Sequence, residues 1–266
     1  MNTVTVSSKT DLVRHEASIE KLFRECFGDR LSLDLWRWAY LDNPNGEPVA
    51  SLCYDADLLV GHYAIIPMPL SSSSGRLNSY LSMTTMVMAS HRQHGLFVKL
   101  AESTYRQALG MGVDFVMGFP NEMSTPGFKK RLNWTLPPSD FVASVSKSQL
   151  LELVAAGALT DSAAYRFDLE DEATRRWRLS RPGATYQWEH GLAYKKYDDS
   201  IDLLGFGSVA DLENLPAHGQ INLLVPFDAE LLAPYKTFDY QFGGISLIST
   251  FDPNCITRQM ALSDLF

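Results

Sequence analysis

The chain has 266 residues, 45% hydrophobic and 20% charged, which is enough for one large sheet or two compact halves around a sizeable core. Lys plus Arg number 23 against 31 Asp plus Glu, a net charge of −8, so binding to bulk nucleic acid, which favours the opposite balance, is not expected. No apolar run is long enough to span a bilayer and Met1–Thr10 lacks a basic-then-apolar leader, which predicts a soluble, cytoplasmic protein. Cys26, Cys53 and Cys255 are far apart and odd in number, so they form neither a disulfide framework nor a C-x-x-C metal site and are expected to be reduced, mostly buried thiols.

In chain order, His15–Phe27 places Ile19, Leu22, Phe23 and Phe27 at helical spacing and ends on Gly28. A short helix over Leu33–Leu41 stops at Asn43-Pro44-Asn45-Gly46. Strands Val49–Tyr54 and Leu58–Ile66 flank a loop of hairpin length, and the polar turn Ser71–Gly75 leads into a third run, Leu77–Met88, giving an antiparallel meander. A helix from Gly95 to Leu109, a buried strand Phe115–Phe119 and a helix Pro126–Leu132 follow.

The second half reads as a worn copy of the first. Trp36-Arg37-Trp38 before Asn43-Pro44 is echoed by Trp177-Arg178-Leu179 before Arg181-Pro182. Strands Leu192–Tyr197 and Ile201–Phe206, a helix Val209–Leu215, a strand Ile221–Pro226 and a helix Ala229–Phe238 repeat the order of residues 77–134, and Val225-Pro226-Phe227 answers Phe119-Pro120-Asn121. The alternative is the generic strand–helix–strand rhythm of any α/β chain. The break at Pro137-Pro138-Ser139-Asp140 divides the chain into 1–138 and 139–266.

The chemistry concentrates where the run Met83–Met88 meets His91-Arg92-Gln93-His94-Gly95-Leu96-Phe97. A strand entering a basic, glycine-containing turn that opens a helix aims unpaired N–H groups and the positive end of the helix dipole at one point. Arg92 adds full charge there, which suits a pyrophosphate; a stray basic loop is the alternative.

This stretch resembles the GNAT acyltransferase superfamily, whose signature Gln/Arg-x-x-Gly-x-Gly/Ala lies between the fourth strand and the next helix. Arg92 and Gly95 match its first and fourth places, and Phe97 departs from its sixth. Phe119-Pro120-Asn121-Glu122 and Gly127-Phe128-Lys129-Lys130-Arg131-Leu132-Asn133-Trp134 resemble the family's fifth strand and following helix end. The resemblance covers residues 15–134; residues 140–266 resemble a degenerate second unit without the glycine loop, as in tandem Fem-type peptidyl transferases and polysaccharide-locus acetyltransferases. It implies an α/β (α+β) acyl-CoA N-acyltransferase fold, with mixed, mostly antiparallel sheets, flanking helices and two tandem GNAT-like units.

The resemblance further implies acyl transfer from acetyl-CoA, without a metal, to an amine or hydroxyl acceptor. The donor would lie on the backbone of Met86, Val87 and Met88, on the loop Arg92, Gln93, His94, Gly95, Leu96 and Phe97, and near Asn121, with a backbone N–H polarising the thioester carbonyl. The family's tyrosine acid has Lys129 in its place. Candidate bases are Glu122, His62, and Asp264 or the terminus at Phe266; each also has a structural alternative, as a helix-start acid, a sheet histidine and a tail cap. Trp36, Arg37, Tyr40 and Asn43, beside Trp38, lie where this superfamily overhangs its acceptor, and their aromatic faces suit an amino sugar or nucleotide sugar of surface polysaccharide synthesis, or else anchor the core. Long-chain acyl or aminoacyl transfer, and a non-catalytic GNAT-like binding module, are the competing readings. The oligomeric state is left open.

Overall fold

Turn chemistry and hydrophobic spacing set the first half. In the computed structural model, which describes residues 1–160, 165–197, 199–217, 219–248 and 251–263, β1 (Asn2–Val6) precedes α1 (Lys9–Leu12) and α2 (Glu16–Phe27). The latter buries Ile19 and Leu22 and ends on Gly28 at φ +74°, a left-handed conformation that glycine adopts without a Cβ penalty. Helix α3 (Leu33–Tyr40) starts on the Ser32 hydroxyl cap. The meander β2 (Val49–Asp55), β3 (Leu58–Pro67) and β6 (Ser79–Val87) is interrupted by a small hairpin, β4 (Leu70–Ser72) and β5 (Gly75–Leu77), so the polar turn at 71–75 lies within a hairpin of its own. Then come α4 (Leu96–Gly110), β7 (Phe115–Gly118) and α5 (Thr125–Arg131).

The second half continues with β8 (Asp140–Ser146), α6 (Lys147–Ala155), β9 (Arg166–Phe167) and α7 (Glu172–Arg178). It closes with β10 (Tyr186–Glu189), β11 (Leu192–Lys196), β12 (Ser200–Phe206), β13 (Gln220–Val225), β14 (Lys236–Tyr240) and β15 (Gly243–Ser246). Two expected helices are corrected. Val209–Leu215 is only a 3₁₀ turn, Val209–Asn214, capped by Ser208. Ala229–Phe238 is not helical: Pro234 sits in a short 3₁₀ turn, Ala233–Tyr235, and β14 pairs instead with the free edge of β8. Of the cysteines, Cys53 is buried and Cys26 half-buried, but Cys255 is exposed, against the expectation of mostly buried thiols.

Two six-stranded sheets result, in the orders β1-β2-β3-β6-β7-β15 and β10-β11-β12-β13-β8-β14, with a small sheet β5-β4-β9 joining the halves. The orders are similar: four antiparallel strands, β1, β2, β3 and β6, lead to a parallel step to β7, and three, β10, β11 and β12, lead to a parallel step to β13. Each sheet then borrows its next strand from elsewhere in the chain: β15 runs antiparallel to β7, and β8 antiparallel to β13.

The helices preceding the repeated strands make the contact between the halves. Trp38 and Trp177 are each the sixth residue of their helix. Their rings stack at 4.9 Å and 11°, and each indole N–H donates to the other's backbone carbonyl at 2.7 Å. This reciprocity satisfies two buried donors and two buried acceptors at once. Beside them Arg178, fully buried, donates to the carbonyls of Ala261 at 2.7 Å and Ser263 at 2.9 Å, tying down the tail. Arg258 on that tail forms a buried ion pair with Asp140, at 2.7 and 3.0 Å. One apolar cluster fills the space between the halves, while separate clusters pack α4 on the first sheet and cover the second.

Among the described residues no helix is long and apolar enough to cross a membrane, and no cluster of metal-ligating side chains is present.

Trp38→Ala is expected to lower the unfolding free energy by about 3–5 kcal/mol in urea titration, and Trp38→Phe, which removes the donor but keeps most of the ring, by about 1–3 kcal/mol. Equal, near-zero losses for both would show that the stacked pair does not hold the halves together.

Candidate active site

Strands β6 and β7 are hydrogen-bonded only from Ser79 to Leu81 and from Phe115 to Met117. Beyond that point β6 continues to Val87 on β3 alone, and β7 ends at Gly118, so the two strands part. The ring of Trp134 lies at the divergence: a Cβ on Gly118 would stand 3.1 Å from it. The cleft that opens has a volume of about 220 Å³ and is lined by Ser82–Thr85 on one side, Gly118–Asn121 on the other, and Phe128 and Trp134 behind, with Phe27 of α2 at its rim.

Within the cleft wall β6 is bulged. His62 pairs with Met86 and Ala64 with Met83, so one residue of β3 faces two of β6, and Thr84 takes φ +54°. The Thr84 carbonyl is turned out of the ladder to His62 Nδ1, 2.7 Å away. His62 is fully buried, and desolvation pushes its pKa down to about 4. The ring is therefore neutral and its Nδ1–H donates to Thr84. Its Nε2 is buried without a partner. The residue thus holds the bulge, and burial separates it from an acceptor.

Of the backbone groups expected to meet the donor, the Met88 N–H is spent on the Val60 carbonyl at 2.9 Å. By the alternation of an antiparallel ladder, Val87 turns its N–H and C=O to the open edge, and its carbonyl is approached there by Arg92 Nε at 3.4 Å. A 3₁₀ turn, Ala89–His94, leads to Gly95 at φ +67°, which caps α4. The first turn of α4 carries no acidic residue, and Arg92, Gln93 and His94 are exposed just before it. The N–H groups of Leu96, Phe97 and Val98 lie at the positive end of a fifteen-residue helix. The Phe97 ring does not cover them. It is turned inward between α4 and α5, edge-on to Phe128 at 5.3 Å, where the missing side chain of Gly127 leaves room.

The remaining sequence candidates scatter. Asn121 lines the cleft and caps the turn into α5 through Ser124 N–H at 3.0 Å. Glu122 is exposed beside it, and Lys129 is exposed on α5. Trp36 and Tyr40 are buried against each other, ring centroids 5.6 Å apart. Asn43 is buried and donates to the Pro67 carbonyl at 2.8 Å. Arg37 is exposed and pairs with Glu16 at 3.3 Å. None of these four lines the cleft. Asp264 and Phe266 lie outside the described residues.

The sequence reading also missed a buried polar chain: Ser82 donates to the Tyr63 hydroxyl at 3.0 Å, Tyr63 and Tyr105 hydroxyls are 2.6 Å apart, and Trp134 Nε1 donates to Tyr105 at 2.9 Å. Burial pushes both tyrosine hydroxyls well above their usual pKa. Larger concavities, about 910 and 640 Å³, lie in the second half. The segment after β12, however, is only the 3₁₀ turn Val209–Asn214, where a long helix, α4, follows β6.

Because His62 stays neutral in the fold down to a pKa of about 4 against 6.5 when unfolded, the unfolded chain binds the extra proton. The stabilising contribution of this group is complete above pH 6.5 and lost as pH falls to about 4, some ~3 kcal/mol in all. Unfolding free energies of wild type and His62→Gln should therefore converge by about that amount between pH 7 and pH 4; parallel curves would show that the ring is not buried neutral.

Residues 15–136 match the family model of the acetyltransferase (GNAT) domain. Among solved structures, a GCN5-related N-acetyltransferase from Kribbella flavida aligns with a TM-score of 0.62 and 12% identity, over 92% of this chain and 72% of that one. A GCN5-related N-acetyltransferase from Anabaena variabilis gives 0.60 and 11%, over 93% and 73%. Eis1 from Mycobacterium abscessus gives 0.56 and 12%, over 90% and 69%. At these identities the likeness is one of fold, and it extends through both halves. No curated protein matches the chain. The match to the acetyltransferase (GNAT) domain thus falls on the part of the chain that holds the β6/β7 cleft and the α4 N-terminus.

Proposed function

We propose that the chain moves an acetyl group from acetyl-CoA to a small-molecule amine or hydroxyl, with the β6/β7 cleft as the donor site and the second half as a degenerate GNAT-like unit bounding the acceptor side. The observation that carries this reading is the parting of β6 from β7 directly ahead of an α4 N-terminus free of acidic side chains and flanked by Arg92. The repeated strand order and the full-length fold matches support the two-unit arrangement.

The residues present fit the donor. The N–H groups of Leu96–Val98 and the Arg92 guanidinium would hold the pyrophosphate, and the open backbone edge at Val87 would pair with the pantetheine amides. When bound, acetyl-CoA supplies an activated acyl group: the acceptor's bond to the carbonyl carbon forms as the C–S bond breaks, the sulfur keeping the electron pair. A backbone N–H at the bulge, which His62 holds, would face the carbonyl oxygen as charge develops on it. Among candidate bases, Glu122 is exposed and close to the cleft residue Asn121, whereas His62 is sealed from solvent. Positioning alone can supply roughly 7–11 kcal/mol, so the site does not depend on a strong base. A cleft of about 220 Å³ suits a short acyl group better than a long chain. Trp36 and Tyr40, which pointed to a sugar ring, are buried, so the acceptor proposed is an amine or hydroxyl with no sugar ring specified.

Calorimetric titration with acetyl-CoA should give micromolar binding, weakened at least tenfold, about 1.4 kcal/mol, by Arg92→Glu. Thiol release in the presence of an amine panel should follow. A folded protein that does not bind acetyl-CoA contradicts the donor site; tight binding with no thiol released to any acceptor favours a binding module.

A further inference from the structure

The second sheet carries a polar row that its packing does not require. Lys195, Asp202, Asn222 and Ser144 stand in register on β11, β12, β13 and β8 and so share one face. Two residues further along each strand, Ala193, Leu204, Leu224 and Val142 on that face belong to the apolar cluster between the halves. Lys195 and Asp202 are both buried and pair at 3.3 Å, and Asn222 Nδ2 donates to the other Asp202 oxygen at 2.9 Å. A buried ion pair holds a sheet no better than apolar side chains of similar size, so stability does not account for the row.

Asp202 and Asn222 line the floor of the concavity of about 910 Å³, with the half-exposed rings of Tyr197 and Phe238 at its two ends. From β11 to β14 this groove crosses five neighbouring strands, about 19 Å at the usual strand spacing. Lys195 Nζ lies 4.9 Å from the centroid of the Tyr197 ring and so steadies it. Phe238 packs edge-on to Tyr240 at 6.3 Å, and Tyr240 stacks at 4.9 Å on Phe119, which lines the β6/β7 cleft. Three rings in contact thus connect the groove to the cleft.

The floor fixes the chemistry of an occupant. Asp202 is answered by Lys195, so neither a cation nor an anion is favoured there. The Asn222 amide oxygen accepts from no described residue, and each Asp202 oxygen has a further lone pair, so the floor asks for hydrogen-bond donors. An apolar occupant would strip water from these groups without return. A peptide adds to a sheet at an open edge, whereas this groove lies on a face whose backbone is already paired. What remains is an uncharged ligand rich in hydroxyl groups, with apolar ring faces for Tyr197 and Phe238.

We infer that the groove is the acceptor subsite and holds the uncharged, hydroxyl-rich body of an oligosaccharide, its rings against Tyr197 and Phe238 and its hydroxyls on Asp202 and Asn222, with the end to be acylated reaching the cleft past Phe119. This rests on the donor-site reading above, in which the acyl group is delivered at that cleft. The pairing of aromatic faces with polar groups, expected on α3 at Trp36 and Tyr40, is thereby located on the second sheet instead.

The test is saturation-transfer NMR on the full chain with maltotriose, cellotriose, mannotriose and N-acetylated chitotriose, with spermidine and trialanine as comparators, and acetyl-CoA binding measured by calorimetry on the same samples. At least one oligosaccharide should bind, with the strongest transfer to its ring C–H protons, and Asn222→Ala and Phe238→Ala should each weaken it at least tenfold. Phe238 is exposed on an edge strand, so its replacement leaves the core intact. A protein that binds acetyl-CoA but none of the oligosaccharides overturns the groove as a carbohydrate subsite and leaves the donor site standing. Oligosaccharide binding that neither substitution weakens, or spermidine or trialanine binding that Asn222→Ala weakens, overturns it as well. Oligosaccharide binding sensitive to both substitutions in a protein that does not bind acetyl-CoA contradicts the donor site, and the groove's role as acceptor subsite falls with it.

Discussion

The loss of hydrogen bonding between β6 and β7 after Leu81 and Met117 is the constraint on which the site depends. Parallel strands that share an edge would normally zip along their full length, because an unpaired backbone group inside a fold costs more than a hydrogen bond returns. Three features prevent that here. The bulge at Thr84 rotates one β6 peptide out of the ladder and is pinned by His62. The indole of Trp134 stands against Gly118, where the strands part, and is itself fixed by the Tyr105 hydroxyl. The Phe97 ring closes the gap between α4 and α5 from the far side. The open edge is thus built by packing, and the α4 N-terminus is delivered to its outer end by the glycine cap at Gly95.

A second constraint joins the halves. The Trp38–Trp177 pair stacks two helices on each other with reciprocal indole-to-carbonyl hydrogen bonds, so the contact is close to self-complementary. Strand β15, from the end of the chain, pairs with β7 and so completes the first sheet with residues of the second half, whereas the second sheet is built from residues 140–240 alone. A long helix, α4, follows β6, whereas only a 3₁₀ turn follows β12, and the tail is held by Arg258 and Arg178.

What was legible in the sequence is what local chemistry decides. Gly28, Asn43-Pro44 and Gly95 stop or start α2, α3 and α4 where the spacing predicts, and the basic turn before Gly95 was visible because strand, glycine and charge are contiguous. Ala229–Phe238 misled because its apolar spacing is helical up to Pro234, while the pairing of Lys236–Tyr240 with β8 is decided across the chain. Strand β1 was overlooked although Asn2–Val6 alternates β-branched residues, a signal too short to stand out at a chain end. Trp36, Tyr40 and Asn43 carry residue types common to cores and to binding faces, and only burial separates the two roles. The Ser82–Tyr63–Tyr105–Trp134 chain spans residues from four separate elements and connections, so no spacing could reveal it.

The most direct measurement is a crystal structure of the protein grown with acetyl-CoA. The account predicts the pantetheine arm along the open edge of β6, hydrogen-bonded to Val87, with the pyrophosphate on the Leu96–Val98 amides and Arg92. Coenzyme A found in a concavity of the second half, with the β6/β7 cleft closed, would contradict it.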